Sequence, residues 1–253
     1  MKRLYLLILI LFPLFVFSQE DNKYFSEPEL DNQISKKKEK KKTEVNTDQR
    51  FRFALYAGYS FRTTNFGYIL PQERRYYLGI RNGLALGGDI QYFIKNRYGI
   101  GLNYQFNYFG TRQSLEFVDS IYVFHFTEKL NFNQISPTFT YKYSSKRLSN
   151  SNYYFLFGIG YIRYEDRLIE TSINQRILTE IAQTYCWHTR FIYDFGINDK
   201  LTITAQIAFW SGNVFQSTII DNATGQAILY NYPAENSLDL SRVELSVGIK
   251  FGR

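Results

Sequence analysis

Cysteine is almost missing: Cys186 is the only one in 253 residues. The chain therefore has no intramolecular disulfide and no thiolate cluster for a metal. Histidine is nearly as scarce, with His125 and His188 alone. A zinc site normally draws on three or four converging ligands, and no paired-histidine spacing exists, so there is little room for metal or histidine chemistry. Long apolar runs are also lacking. A protein of several membrane helices needs stretches of about 20 apolar residues, yet only the N-terminal segment approaches one and mean hydropathy is −0.31. What abounds is aromatic: 23 Phe, 22 Tyr and 2 Trp make up 19% of the chain. Disordered chains are poor in such residues, so much of this one must pack against something.

Residues 1–19 read as a cleavable signal peptide. Lys2 and Arg3 open it, an apolar core runs from Leu4 to Phe17, and Ser18 and Gln19 form the polar exit. No cysteine follows that core, which excludes a lipoprotein anchor. Formal charge is +7, and removing Lys2 and Arg3 leaves +5 for the mature chain. Residues 20–50 are polar and divided by charge. Glu20, Asp21, Glu27, Glu29 and Asp31 precede a dense basic block at residues 36–42. Like charges so close repel, which predicts a disordered, solvated tether. It is a spacer or an attachment point for an anionic envelope partner; nucleic acid is a poor match for an exported chain.

From residue 51 the period becomes two. Phe51, Phe53, Leu55, Tyr59 and Phe61 alternate with Arg52, Ala54, Gly58, Ser60 and Arg62, so one strand face is lipophilic and the other small or polar. Seven more segments repeat the pattern, beginning near residues 84, 100, 135, 153, 185, 201 and 239. Leu130 and Phe132 have the opposite parity to Ile135 and Phe139, which predicts a bulge near Asn133. Pro137 lacks a ladder donor and is awkward in a fully paired strand. Connections alternate in length. Residues 95–98, 144–151 and 197–200 are short and turn-like, whereas 63–80, 111–129, 165–183 and 211–238 are long and polar. Asn222-Ala223-Thr224 reads as a turn rather than a glycosylation site.

Alternating long and short connections are the habit of bacterial transmembrane barrels, which also carry aromatic girdles at both lipid–water boundaries. Residues 51–253 thus resemble the small outer-membrane β-barrel family of Gram-negative bacteria, within the porin-like superfamily. The fold expected is all-β: an eight-stranded antiparallel transmembrane barrel in the cell outer membrane, with both termini periplasmic. The resemblance implies lipid and lipopolysaccharide as surroundings. It also implies the barrel-assembly machinery as a partner, with Phe251 as the terminal aromatic that machinery reads.

Inward parity gathers Arg52, Asp89, Lys142, Arg190, Asp194, Arg242, Glu244 and Lys250. Charges inside so narrow a barrel must pair, with Asp89 and Glu244 as partners for the excess bases. Eight strands leave an interior just filled by side chains, so this set is a plug rather than a pore. Arg62, Arg74, Arg75 and Arg163, beside Tyr76, Tyr77 and Tyr161, fall near outer strand ends, either as solvated charges or as contacts for lipopolysaccharide phosphates. No cofactor is called for. The leading function is non-enzymatic, structural or adhesive, exercised through the outer loops. One alternative is a lipid-modifying enzyme built on His125, Thr127 and Glu128; another is a subunit of a larger secretion or envelope complex.

Overall fold

The computed structural model describes residues 50–64, 74–95, 97–111, 115–119, 122–144, 151–170, 176–197, 201–234 and 237–251. The expected signal peptide, 1–19, and all but the last residue of the expected tether, 20–50, lie outside these residues. The barrel belongs to a unit spanning Asn46–Arg253. Its wall is built from β1 (Phe51–Arg62), β2 (Asn82–Lys95), β3 (Tyr98–Gly110), β5 (Tyr122–Ser144), β6 (Ser151–Glu170), β7 (Ile177–Gly196), β8 (Thr202–Val214) and β12 (Arg242–Phe251). Each is antiparallel to the next, and β12 returns to β1 with Phe53 opposite Phe251 and Arg62 opposite Arg242. Eight strands therefore close a ring.

Side-chain alternation sorts this wall into two faces, as the period of two requires. Leu55, Leu86, Ile90, Ile100, Ile159, Ile203 and Val247 lie outward and exposed, whereas Arg52, Gln91, Asn103, Gln105 and Asp194 are buried within. A soluble barrel has the reverse arrangement. A closed wall with an apolar exterior satisfies every ladder hydrogen bond internally, as hydrocarbon demands. At the turn end, outward rings meet across strands: Phe51 and Tyr92 at 5.0 Å, Tyr153 and Tyr193 at 5.0 Å, Phe155 and Phe191 at 5.1 Å. At the other end Tyr59, Tyr104, Tyr161, Tyr185 and Trp187 are exposed. These two levels are the aromatic girdles of a membrane-spanning barrel.

Three details depart from the sequence-based expectation. First, β5 has no bulge near Asn133: its pairing with β3 runs unbroken from Tyr98 opposite Tyr141 to Gly110 opposite Lys129. Leu130 and Phe132 keep the parity of Gln134 and simply point inward, where both are buried. The interior changes from polar to apolar; the strand does not shift. Pro137 costs only a local gap, since the ladder to β6 pairs Ile135 with Tyr161 and resumes at Thr138 with Gly158 in the same register.

Second, the long connections are not simple loops. β6 and β7 stay paired up to Ile169 opposite Ile177, through most of residues 165–183. β4 (Leu115–Asp119) pairs with the start of β5. β9 (Gln216–Asp221) pairs with β7, and β10 (Ala227–Asn231) with β9. β11 (Leu238–Asp239) adds to β8. A sheet in the order β4-β5-β6-β7-β9-β10 thus projects beyond the ring. Third, the connection expected at residues 63–80 carries a short helix, α1 (Arg74–Arg81), that runs one residue past it.

A closed barrel in detergent keeps its shape until boiled. Unheated protein should run faster on a gel than boiled protein and show β-type circular dichroism; one coincident band, with solubility in the absence of detergent, would mean that the outward face is a core.

Candidate functional site

The interior has two storeys. Near the turns, Arg52 of β1 makes a salt bridge with Asp89 of β2 and reaches Asp194 of β7 at 3.3 Å and Thr204 of β8 at 3.2 Å. Lys250 of β12 stands 3.6 Å from the same Asp194. Lys142 lies over the Phe93 ring at 5.7 Å. Nearby, Gln91 exchanges hydrogen bonds with Thr138 and accepts one from Thr140 at 2.7 Å. Higher up, Arg190 donates to Tyr56, to Asn103 at 2.9 Å and to Gln105 at 3.1 Å. Arg242 pairs with Glu244 at 2.9 Å, and Glu244 also accepts from Asn107 at 2.8 Å.

All eight charged residues named from parity are buried here. Asp89 does take Arg52, and Glu244 takes Arg242. Nothing in the residue pattern signals that aromatic rings share the task. The Arg190 and Arg242 guanidiniums sit 5.2 and 4.8 Å from the Trp210 ring centre, and among the described residues Arg190 Nε and Arg242 Nη2 have no hydrogen-bond partner. A ring face attracts a cation electrostatically, and that attraction supplements the missing bonds.

His188 stacks on the same indole, 4.1 Å from Trp210 and tilted by 15°. Its Nε2 lies 2.8 Å from Ser136 Oγ. That is a nucleophile–base distance, yet both residues are fully buried and His188 Nδ1 has no partner among the described residues. The pair is a buried hydrogen bond, and among the described residues no carboxylate orients the imidazole. Gly158 makes room for it, because a Cβ there would lie 2.2 Å from His188 Nε2. Ser136, Trp210 and Tyr56 were not singled out from sequence; a period-two reading assigns them a face but not a neighbour.

The upper storey is an apolar stopper. Phe109, Leu130, Phe132, Ile162, Trp210 and Leu240 are fully or almost fully buried there, and Tyr76 and Ile80 of α1 close it from above. This corrects the interface reading for two residues. Arg62 is buried, with Phe109 and Phe132 rings 6.0 and 5.8 Å away, and Tyr76 is buried rather than facing lipid. Each turned inward because the mouth of the barrel needs filling. Arg163 does project outward beside Tyr161; the Arg74 and Arg75 side chains lie outside the described residues, as does that of His125.

Above the stopper, three carboxylates share the inner wall. Asp166 of β6 faces Glu180 of β7 directly and feels the charge of Glu128 of β5. Like charges directly opposite are destabilising, and tyrosines offset this. Tyr76 donates to Glu128, Tyr164 to Asp166 at 3.1 Å, and Tyr232 to Glu180. Carboxylates inside the rim thus hold α1 and the segment after β10. Outward at this level are Lys129, Glu165 and Arg167, so the cluster lies beyond the membrane-spanning wall. Burial, then the Glu128 charge, push the Asp166 carboxyl up to about 9. Thr127 and Glu128, candidates for lipid chemistry, are half-buried, and Glu128 is engaged in this clamp.

Two outcomes are expected of this geometry. Arg52→Ala strands Asp89 in the interior and leaves Asp194 to Lys250 alone, and should cost about 3–5 kcal/mol in urea unfolding of the detergent-refolded protein; a change near zero would show that the network is solvated. At the rim, folded Asp166 holds its proton well above the ordinary 3.8. The clamp is therefore at full strength below about 4 and weakens as pH rises through about 9. Amide exchange in α1, corrected for intrinsic rates, should accelerate over that interval in the native chain and stay flat in Asp166→Asn.

No protein-family model matches the chain, and no curated protein matches it. Among solved structures, a major outer membrane protein from Thermus thermophilus is similar over 79% of this chain and 98% of its own, with TM-score 0.51 and 12% identity. Neisserial surface protein A is similar over 79% of this chain and 96% of its own, with TM-score 0.45 and 10% identity. The first of these likenesses is one of fold alone, and it agrees with the closed ring, the apolar exterior and the girdles: this chain has the fold of the bacterial outer-membrane β-barrels.

Proposed function

We propose that this chain is a non-enzymatic outer-membrane protein, structural or adhesive, whose sealed barrel carries a sheet above the membrane for contact with a partner. The observation behind this reading is the filled interior. Buried charge and amide groups occupy the turn end, an apolar stopper occupies the loop end, and α1 caps it. Such an interior suits a rigid anchor better than a conduit. Two recesses, of 730 and 720 Å³, lie on the outward wall over Ala57 and Ala205 and over Gly101 and Gly158. They are suited to acyl chains rather than to a catalytic cleft.

The partner reading follows the same division. Lys129, Arg163 and Arg167 are exposed just above Tyr161, a pairing of cation and phenol that suits phosphates of the outer leaflet. Phe251, exposed at the end of β12 with its ring 5.7 Å from Phe53, is the group offered to the assembly machinery. The tether and its basic block would face an envelope partner in the periplasm.

The test uses vesicles of phosphatidylethanolamine and phosphatidylglycerol containing the refolded mature chain. They should retain small solutes and release no fatty acid. Steady solute release would replace the anchor with a pore, and fatty-acid release abolished by His125→Ala would replace it with a lipid-modifying enzyme.

A further inference from the structure

β10 is a free edge of the projecting sheet. Among the described residues it pairs with β9 on one side only, and all five of its residues are exposed. Ile228, Leu229 and Tyr230 are 64%, 59% and 45% exposed. Such an edge offers unpaired N–H and C=O groups to any strand that meets it, and natural proteins usually blunt it with charge. The other edge of this sheet, β4, follows that practice, with Glu116 and Asp119 among its five residues. β10 does not: no charged residue occurs between Asp221 and Glu235.

We propose that β10 pairs with β10 of a second copy of this chain carried by a facing membrane, so that the protein is a homotypic adhesin. The sequence of the strand suits self-pairing. An antiparallel ladder centred on Leu229 sets Leu229 against itself, Ile228 against Tyr230 and Ala227 against Asn231. No charge meets a charge, and the two Ile–Tyr pairs are of the β-branched–aromatic kind that stabilises sheets. One patch serves both partners, as a two-fold contact requires.

Membrane geometry then fixes where the second copy sits. The two-fold axis relating neighbouring antiparallel strands is perpendicular to their sheet. β9 and β10 continue the ladder of β7, a wall strand, and a barrel wall stands across the membrane. Its perpendicular therefore lies in the membrane plane. Rotation about an in-plane axis turns the loop end of one copy towards the loop end of the other, from the opposite side of a gap. Copies in one membrane are related by an axis along the membrane normal, which does not bring wall-like strands together antiparallel. A single five-residue pairing buries less than a stable protein interface of roughly 1,200 Å², so adhesion depends on many copies acting together.

This inference rests on the anchor reading above, and the two can fail separately. Full mature chain, and its Leu229→Lys and Leu229→Glu variants, are reconstituted in dye-filled phosphatidylcholine vesicles of two colours, and clustering is followed by light scattering. Wild-type vesicles should cluster with one another. Each variant alone should lose clustering, because like charges then face each other at Leu229. Mixing the Lys and Glu vesicles should restore it as two-colour clusters. Wild-type vesicles that stay dispersed, a Lys variant that clusters like wild type, or a mixture that stays dispersed would each overturn the pairing. Dye leakage from the same vesicles reports on the sealed barrel: leaking vesicles count against the anchor, and tight but dispersed ones count against the pairing alone.

Discussion

The rest of the structure depends on the ladder between β12 and β1. Hydrocarbon offers no water to an unpaired amide, and a sheet left open at Phe51–Arg62 would expose a whole edge to lipid. Closing that edge with Arg242–Phe251 commits every wall residue to one of two environments. The outer set can be as apolar as lipid. The inner set is confined in a tube too narrow for bulk water, and its polar groups must satisfy one another.

The interior answers this demand in two ways along its length. Near the turns, Arg52 gathers carboxylates from β2 and β7, so a few charge pairs tie distant parts of the ring together. Towards the loops the demand is reduced, because Phe109, Phe132 and Ile162 bring nothing to satisfy and the buried Arg62 lies against the first two rings. Trp210 stands at the junction. Its ring carries His188 at stacking distance and two guanidiniums at cation–π distance. Buried charge pairs contribute little net stability on their own, but each is costly to break, which favours one register over its alternatives.

Beyond the membrane the constraint relaxes. β5, β6 and β7 outrun the ring and recruit β4, β9 and β10 as an open sheet. An open sheet has edges, which a barrel abolishes. A filled interior below and an open sheet above go together: the stopper and the tyrosine clamp fix the base from which the sheet projects.

Much of this was legible in the residues themselves. Alternation at Phe51 to Arg62, or at Tyr185 to Phe195, assigns each side chain to a face, because a strand has only two. The short turns and long connections give the strand count and direction. Sequence alone did not reveal that Leu130 and Phe132 stay in register while the interior changes character, or that residues 165–183 remain a ladder. Backbone pairing there is imposed by the flanking strands and leaves no mark on side-chain polarity. Nor did it reveal the contacts of Arg52 with Asp194, 142 residues away, or of Arg190 with Tyr56, 134 residues away. A period of two fixes which way a side chain points. Only the stagger of eight strands around a closed ring decides what it meets across the lumen.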